Sequence, residues 1–254
     1  MILAQEDAKE LKLQISGDGD GKFVPFPAFR ENSYIPPALD AQLFLMPKKE
    51  TEAALGEGMN GMLGQQWFGG RVWTFDYPRK ELLWRAPGDL PKHDPKHRAP
   101  IYFQTSGSGK RRTNFPRIEA TIDGEVLSFL LDTGATDVLG EDALKAIGDG
   151  RPANRATSFL TKRVYERWRA KHPEWRVIEL KTKTGQAMIE VPRITLGGHE
   201  VGPVWFSVQS DKAFHEYMAQ WMDKPTEGAL GGSAFKYFRM TVDYPNAVAV
   251  FEKK

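Results

Sequence analysis

One aspartate of this sequence directly follows an apolar run and precedes a threonine and a glycine. Phe129-Leu130-Leu131 leads into Asp132-Thr133-Gly134-Ala135-Thr136. A carboxylate at the end of a buried strand is desolvated, so its pKa shifts readily, and the glycine leaves a backbone N–H free to hydrogen-bond it. Such a carboxylate suits general acid–base catalysis. The same pattern is typical of an Asx-turn that only ends a strand, so the motif alone leaves both interpretations open.

Two later segments accompany this aspartate. Residues 227–232 read Glu-Gly-Ala-Leu-Gly-Gly, and residues 239–245 read Arg-Met-Thr-Val-Asp-Tyr-Pro. Together the three segments resemble the aspartic peptidases of the retropepsin and pepsin type. The Asp132 stretch is similar to their active-site loop. Gly228, Leu230 and Gly231 are similar to the strand that crosses behind that loop, and 239–245 is similar to the closing strand of the bacterial retropepsin-like branch.

The resemblance implies an aspartic-type endopeptidase acting on a peptide or protein substrate. In that family two aspartates share a proton and activate a water, without a covalent enzyme intermediate. Asp132 would be one of the two. The residues that would support the active-site loop are Thr133, Gly134, Ala135 and Thr136. The hairpin 181–187 would be the flap over the substrate, with its tip at Thr184, Gly185 and Gln186. The resemblance implies no cofactor and no metal.

The sequence departs from the family pattern in having a single Asp-Thr-Gly and no Asp-Ser-Gly. Asp18 and Asp20 lie in a polar Gly-Asp-Gly-Asp-Gly run without an apolar strand before it, so neither is the expected partner. Three explanations stay open: an upstream segment supplies the second aspartate, a homodimer pairs two copies of Asp132, or the lobe has lost its activity. We favour the first. The rival functions are a catalytically inactive peptide-binding or scaffold protein on the same fold, and a β-rich binding module.

An ungapped internal repeat organises the chain. Residues 61–78 align with 228–245 at an offset of 167, and eight of these eighteen positions are identical. Further upstream, 11–13 aligns with 178–180 as a strand and 17–19 with 184–186 as a turn. The two copies are expected to form strand, helix and strand in separate lobes.

We therefore predict an all-β, two-lobed protein of retropepsin-like closed β-barrel lobes with short helices. The expected divisions are a partial first lobe at 1–84, a proline- and charge-rich linker at 85–100, and a complete second lobe at 101–254. In the second lobe, 115–122 and 126–131 are expected to form a hairpin around Asp123-Gly124. The basic segment 151–176 and the segment 212–222 have helical apolar spacing, and each is expected to form an amphipathic helix. The basic face is either solvated or recruits substrate or a polyanion.

Composition excludes several classes of protein. Of 254 residues, 41% are hydrophobic and 27% charged, which is typical of a globular protein. The absence of cysteine excludes disulfides and thiolate metal sites, and a net charge of +2 does not indicate a nucleic-acid partner. No stretch reaches the ~20 apolar residues that span a bilayer. The acidic N-terminus is not a signal peptide. The compartment stays open: cytoplasmic as the sequence stands, periplasmic or secreted if it is N-terminally truncated.

Overall fold

The computed structural model describes residues 1–18, 21–31, 35–37, 39–179 and 187–254. Their regular secondary structure is predominantly β, with short helices, as the sequence predicts. They form two compact units, 1–70 and 71–254, so the boundary falls inside the predicted first lobe rather than at residue 84. No helix in the described ranges is long and apolar enough to cross a membrane.

The first unit forms one mixed sheet. Its described elements are β1 Ile2–Ala4, α1 Gln5–Glu10, β2 Phe23–Pro25, β3 Gln42–Met46, α2 Lys48–Leu55, β4 Gly61–Met62 and α3 Gln65–Phe68. The strand order is β2-β3-β1-β4, with β1 parallel to β3 and the other pairs antiparallel. Trp67 stacks on Phe26 with ring centroids 5.3 Å apart and is buried in the core of this unit.

The strand predicted at residues 11–13 is absent. Leu11 ends α1 instead, and the N–H groups of Leu11 and Leu13 donate to the carbonyls of Asp7 and Ala8. Acidic residues in the first turn of α1 and Lys9 in its last turn favour the helix, because they oppose the helix dipole. Of the turn predicted at 17–19, only residues 17 and 18 are described: Gly17 has a φ of 85°, and Ser16 forms an isolated β-bridge with Phe23.

The second unit contains a nine-stranded sheet and a smaller two-stranded one. Its elements are β5 Val72–Asp76, β6 Glu81–Arg85, β7 Arg98–Pro100, β8 Arg117–Ile122, β9 Glu125–Leu131, β10 Thr136–Val138, α4 Glu141–Ile147, β11 Asn154–Ala156, β12 Ser158–Thr161, α5 Lys162–Lys171, β13 Val177–Ile178, β14 Met188–Val191, β15 Ile194–Leu196, β16 His199–Val201, β17 Val204–Gln209, β18 Gly228–Leu230, α6 Gly232–Phe235, β19 Phe238–Asp243 and β20 Val248–Lys253. The large sheet has the order β13-β14-β17-β12-β18-β9-β8-β15-β16, and β10 pairs with β11. Among the described residues no sheet closes on itself, so the predicted closed barrels are not found.

The remaining strands of this unit form a five-stranded sheet of order β6-β5-β19-β20-β7. The strands that end the two repeat copies, β5 and β19, are antiparallel neighbours in it, with Thr74 opposite Thr241. The expectation that these two strands lie in separate lobes is therefore wrong, because their backbones hydrogen-bond to each other. Part of the predicted linker also belongs to this sheet, since β7 pairs with β20.

Two predicted helices are shorter than the sequence suggests. In the basic segment only Lys162–Lys171 is helical, with Val164, Tyr165 and Trp168 buried, while Phe159 and Leu160 belong to β12. Residues 213–221 form a π turn followed by a 3₁₀ turn. Phe214 packs in the core, but Tyr217 and Trp221 are 66% and 46% exposed, so the expected apolar face covers the core only in part.

Candidate active site

The hairpin of β8 and β9 delivers Asp132 to its position. The turn between the strands has positive φ at both Asp123 (53°) and Gly124 (78°), the conformation that matches the twist of a two-residue hairpin. Phe129, Leu130 and Leu131 are buried at the end of β9. The N–H of Asp132 then donates to the carbonyl of Leu230, 2.9 Å away. The hairpin predicted from the sequence is thus confirmed, and it leads into the Asp132 loop beside β18.

The carboxylate of Asp132 is held by its own loop. The N–H of Gly134 donates to Oδ1 at 3.0 Å. Burial raises the pKa of Asp132 above its ordinary value, and hydrogen bonds from the N–H groups of Gly134 and Ala135 oppose this shift only in part. A carboxyl that keeps its proton to higher pH can donate or accept one during a reaction near that pH.

The other predicted loop residues have unequal roles. Ala135 is buried, and its carbonyl accepts from the N–H of Thr157 at 3.0 Å. Thr136 begins β10 and pairs with Ala156. The Thr133 hydroxyl has no hydrogen-bond partner within the described ranges, and Gly134 does not adopt a positive φ. Backbone contacts at Ala135, rather than a threonine hydroxyl, therefore fix this loop.

Close packing leaves no room for a side chain at Gly228 and Gly231. A Cβ on Gly231 would lie 2.0 Å from the carbonyl oxygen of Thr157 and 2.7 Å from Cβ of Ala135. A Cβ on Gly228, whose φ is 149°, would lie 2.0 Å from the carbonyl oxygen of Phe159. Between them Leu230 is fully buried and pairs with Leu131. Leu230 and Gly231 therefore contact the Asp132 loop, and Gly228 packs against β12.

A chain of buried hydroxyls fixes Gly231 in turn. The N–H of Gly231 donates to Oγ of Ser158 at 3.0 Å, and Ser158 lies 2.8 Å from Oγ of Ser233. Ser233 donates to the carbonyl of Trp205 at 2.8 Å. These polar groups are satisfied inside the protein, so the backing strand is held rigidly relative to β12 and β17.

Two tyrosines near Asp132 were not predicted from the sequence. Burial, followed by the negative charge of Asp132, raises the pKa of both Tyr77 and Tyr244. Each follows an aspartate in the repeated Asp-Tyr-Pro motif, and this repetition is the signal that could have identified them. The aspartates before them have a different task, since Asp76 and Asp243 each accept from the N–H three residues later and so close a turn.

No second carboxylate affects the pKa of Asp132 within the part of the chain that the structure describes. In the same ranges, no cluster of His, Asp and Glu side chains is placed to hold a metal ion. The predicted flap tip, Thr184, Gly185 and Gln186, lies outside the described residues, as does Asp20. The structure thus brings together the Asp132 loop, its backing strand and two tyrosines.

Comparisons with known proteins give a weak likeness. No family model matches the chain, and no curated protein sequence matches it. Among solved structures, a retropepsin-like aspartic protease from Rickettsia conorii is similar, with 16% identity over 60% of this chain and 88% of that chain. The TM-score of that match is 0.32, which does not establish a shared fold.

Proposed function

We propose that this protein is an aspartic-type endopeptidase in which Asp132 supplies one member of the catalytic pair. The observation that carries the proposal is the Asp132 carboxylate itself, which is partly buried, raised in pKa and held by the N–H of Gly134 at the end of a buried strand. A carboxyl with this environment is suited to share a proton with a second one, because two close carboxylates cannot both ionise.

The proposed reaction uses the two carboxyls in opposite protonation states. The ionised carboxylate accepts a proton from water as the water attacks the peptide carbonyl, and the protonated carboxyl hydrogen-bonds the carbonyl oxygen. The tetrahedral intermediate then breaks its C–N bond as a proton passes to the leaving amine. Asp132 alone cannot play both parts, so a second aspartate must be brought to it.

The first unit supports a specific place for that aspartate, because its sheet has the topology of part of the second unit. In the first unit β1 runs parallel to β3 and antiparallel to β4. In the second unit β12 likewise runs parallel to β17 and antiparallel to β18. A helix directly follows β1 and β12, and a four-residue helix follows β4 and β18. We interpret the first unit as a partial copy of the second.

The two copies differ at the strand that carries the aspartate. In the second unit β18 pairs in parallel with β9, which ends at Asp132. In the first unit β4 is the last strand of its sheet among the described residues, and Met62 and Leu63 there are exposed. We propose that a strand with an apolar-Asp-(Thr/Ser)-Gly sequence pairs with β4 as β9 pairs with β18.

The glycines of the repeat support this proposal. A Cβ on Gly61 would lie 2.4 Å from the carbonyl oxygen of Ile2, much as one on Gly228 would strike Phe159. Gly64 is the counterpart of Gly231, yet among the described residues a Cβ on Gly64 would meet nothing within 4 Å. The space that Ala135 and Thr157 fill behind Gly231 is therefore open at Gly64.

The test is peptide cleavage between pH 3 and pH 7 by the full chain, alone and with an added synthetic peptide of residues 117–136 as the strand donor. We expect weak cleavage alone, strong cleavage with the peptide, inhibition by a statine-type compound, and at least ~100-fold loss in Asp132→Asn. Asp123→Asn is the matched control, because it makes the same chemical change in an exposed turn.

Other outcomes would redirect the proposal. Cleavage by the chain alone that rises with the square of its concentration would indicate that two copies pair their Asp132 residues. Undiminished cleavage by Asp132→Asn would exclude Asp132 as the acid–base group. Peptide binding without any cleavage, with or without the added strand, would favour the inactive peptide-binding protein.

A further inference from the structure

A cavity of about 290 Å³ lies beside the Asp132 loop in the second unit. Its lining includes Ala156 and Thr157, which pair with Thr136 and Ala135 of that loop. Tyr77, whose pKa responds to the charge of Asp132, also lines it. The cavity therefore borders the strand that pairs with the Asp132 loop. Its volume is at the lower end of ligand sites, enough for one side chain.

The cavity combines an apolar wall with a surplus of cations. Leu139, Met188 and Trp205 contribute apolar surface. The charged groups of the lining are four cations and one carboxylate: Lys80, Arg151, Arg155, Lys236 and Asp149. Such a surplus favours an anionic ligand, because a partly desolvated site strengthens the attraction between opposite charges.

The single carboxylate is already engaged. Arg155 donates through Nη1 to both oxygens of Asp149, at 3.0 Å and 2.8 Å, and its remaining donors reach the carbonyls of Pro152 and Arg151. Nε of Arg151 lies 3.9 Å from Oδ2 of Asp149, and the Arg151 side chain is 66% exposed. Arg155 and Asp149 therefore satisfy each other, and Arg151 has most of its guanidinium available.

Lys236 is a half-buried cation of the cavity that forms no ion pair with a described carboxylate. It is half-buried, and no carboxylate among the described residues lies within 4.0 Å of its ammonium group. Burial lowers its pKa, Arg151 lowers it further, and Asp149 and Glu190 oppose the shift from longer range. Its nearest described aromatic contact is the ring of Tyr237, 4.9 Å from Nζ to the centroid. An anion placed between Lys236 and Arg151 would remove their mutual repulsion.

We propose that this cavity binds an acidic side chain, Asp or Glu, of the peptide substrate through Lys236 and Arg151. The inference rests on the proposed peptidase function and adds its specificity. The methylenes of the side chain pack on Trp205 while the carboxylate reaches the two cations. Charge-assisted hydrogen bonds of this kind are expected to favour the acidic residue over its amide by roughly tenfold or more.

The test measures binding separately from cleavage. The full chain carrying Asp132→Asn is titrated with fluorescein-labelled octapeptides in which one Glu is moved along a neutral sequence, and with the same peptides carrying Gln. We expect one position at which Glu binds at least about tenfold more tightly than Gln. Lys236→Gln and Arg151→Gln should each remove most of this preference. Lys110→Gln, an exposed lysine outside the cavity, should keep it.

The outcomes separate the two proposals. A Glu preference that depends on Lys236 and Arg151 would support the proposed binding site for an acidic residue. If the chain with Asp132 intact cleaves no peptide, the same result would contradict the peptidase function. Cleavage without any Glu preference would leave the peptidase function and overturn the cavity. No binding of any Glu peptide, or a preference unchanged in both cavity variants, would also overturn it.

Discussion

The hydroxyls of Thr74 and Thr241 lie 2.7 Å apart in the middle of the five-stranded sheet. The two residues stand opposite each other in register, and they are separated by 167 residues, the offset of the sequence repeat. On either side, Val72 faces Asp243 and Asp76 faces Arg239. The offset of 167 relates Val72 to Arg239 and Asp76 to Asp243, so the repeat exchanges the two pairs. Pairing of this reciprocal kind is what a two-fold axis between two like hairpins produces.

The threonine pair should show energetic coupling in a double-mutant cycle. In Thr74→Val the Thr241 hydroxyl loses its partner inside the core, at a cost of about 1–3 kcal/mol. In Thr241→Val the Thr74 hydroxyl still accepts from Nε of Arg85 at 2.5 Å, so the cost should be smaller, about 0.5–1.5 kcal/mol. The double variant should lose less than the sum in denaturant unfolding.

A buried threonine without a partner gives the control for this cycle. The hydroxyl of Thr226 is buried and has no hydrogen-bond partner in the described ranges, so Thr226→Val should be neutral or stabilising. Equal losses of unfolding free energy in all three single variants would show that the Thr74–Thr241 hydrogen bond does not stabilise the protein.

The hydroxyl chain behind the Asp132 loop should be needed for stability. Ser158→Ala leaves the N–H of Gly231 without its acceptor, and a buried unpaired donor costs about 1–3 kcal/mol. Ser108→Ala, at an exposed hydroxyl pair, should cost less than about 0.5 kcal/mol. Chemical denaturation of both variants measures the difference, and equal stabilities would mean that water replaces the lost hydroxyl.

The sequence predicted what local pattern determines. Alternation on both sides of Asp123-Gly124 predicted the hairpin, whose second strand is buried where it leads into Asp132. Three-residue alternation at 11–13 was not enough to distinguish a strand from the end of a helix, because acidic and basic residues around it favour α1. Phe159 and Leu160 were assigned to a helix because their spacing from Val164 fits a helical period, yet they belong to β12.

Non-local pairing accounts for what the sequence did not predict. Nothing along the chain indicates that β5 pairs with β19, and this pairing joins the two strands that Tyr77 and Tyr244 follow. The charge surplus of the cavity likewise depends on residues from separate elements, such as Arg151 and Lys236, meeting in space. In each case the sequence shows the residues but does not show which distant residues lie next to them in the fold.

Asp132→Asn should raise stability at pH values above the ordinary carboxyl pKa of 3.8. The folded pKa is raised, so below pH 3.8 the carboxyl is protonated in both states and costs nothing. As the pH rises, the unfolded state ionises first and is favoured, at about 1.4 kcal/mol per unit of pKa shift. The variant lacks this penalty. Thermal unfolding from pH 2.5 to pH 7 should show its advantage growing with pH and then levelling above the folded pKa.

Asp123→Asn supplies the opposite sign as a control. Hydrogen bonds from Lys171 and His172 lower the pKa of Asp123, so its stabilising contribution is present above pH 3.8 and lost as the pH falls. This variant should be slightly less stable than the parent near pH 7 and equal to it at the acid end. The same pH trend in both variants would mean that the pKa of Asp132 is not raised in the folded protein.

The glycine pair 64 and 231 tests the loop contact and the open edge together. Both glycines precede a four-residue helix at its N-cap, so alanine carries the same capping cost of up to about 1 kcal/mol at either place. At Gly231 the new Cβ would also strike the Thr157 carbonyl and Ala135, which should add about 1–3 kcal/mol and displace the Asp132 loop. At Gly64 it meets nothing among the described residues, so unfolding of the full chain should change only by the capping cost.

Gly64→Ala should nevertheless weaken binding of the 117–136 peptide, because the methyl group would occupy the space that a second Asp-Thr-Gly loop needs. Equal destabilisation in the two alanine variants, or unchanged peptide binding by Gly64→Ala, would contradict the docking of an aspartate-bearing strand at β4.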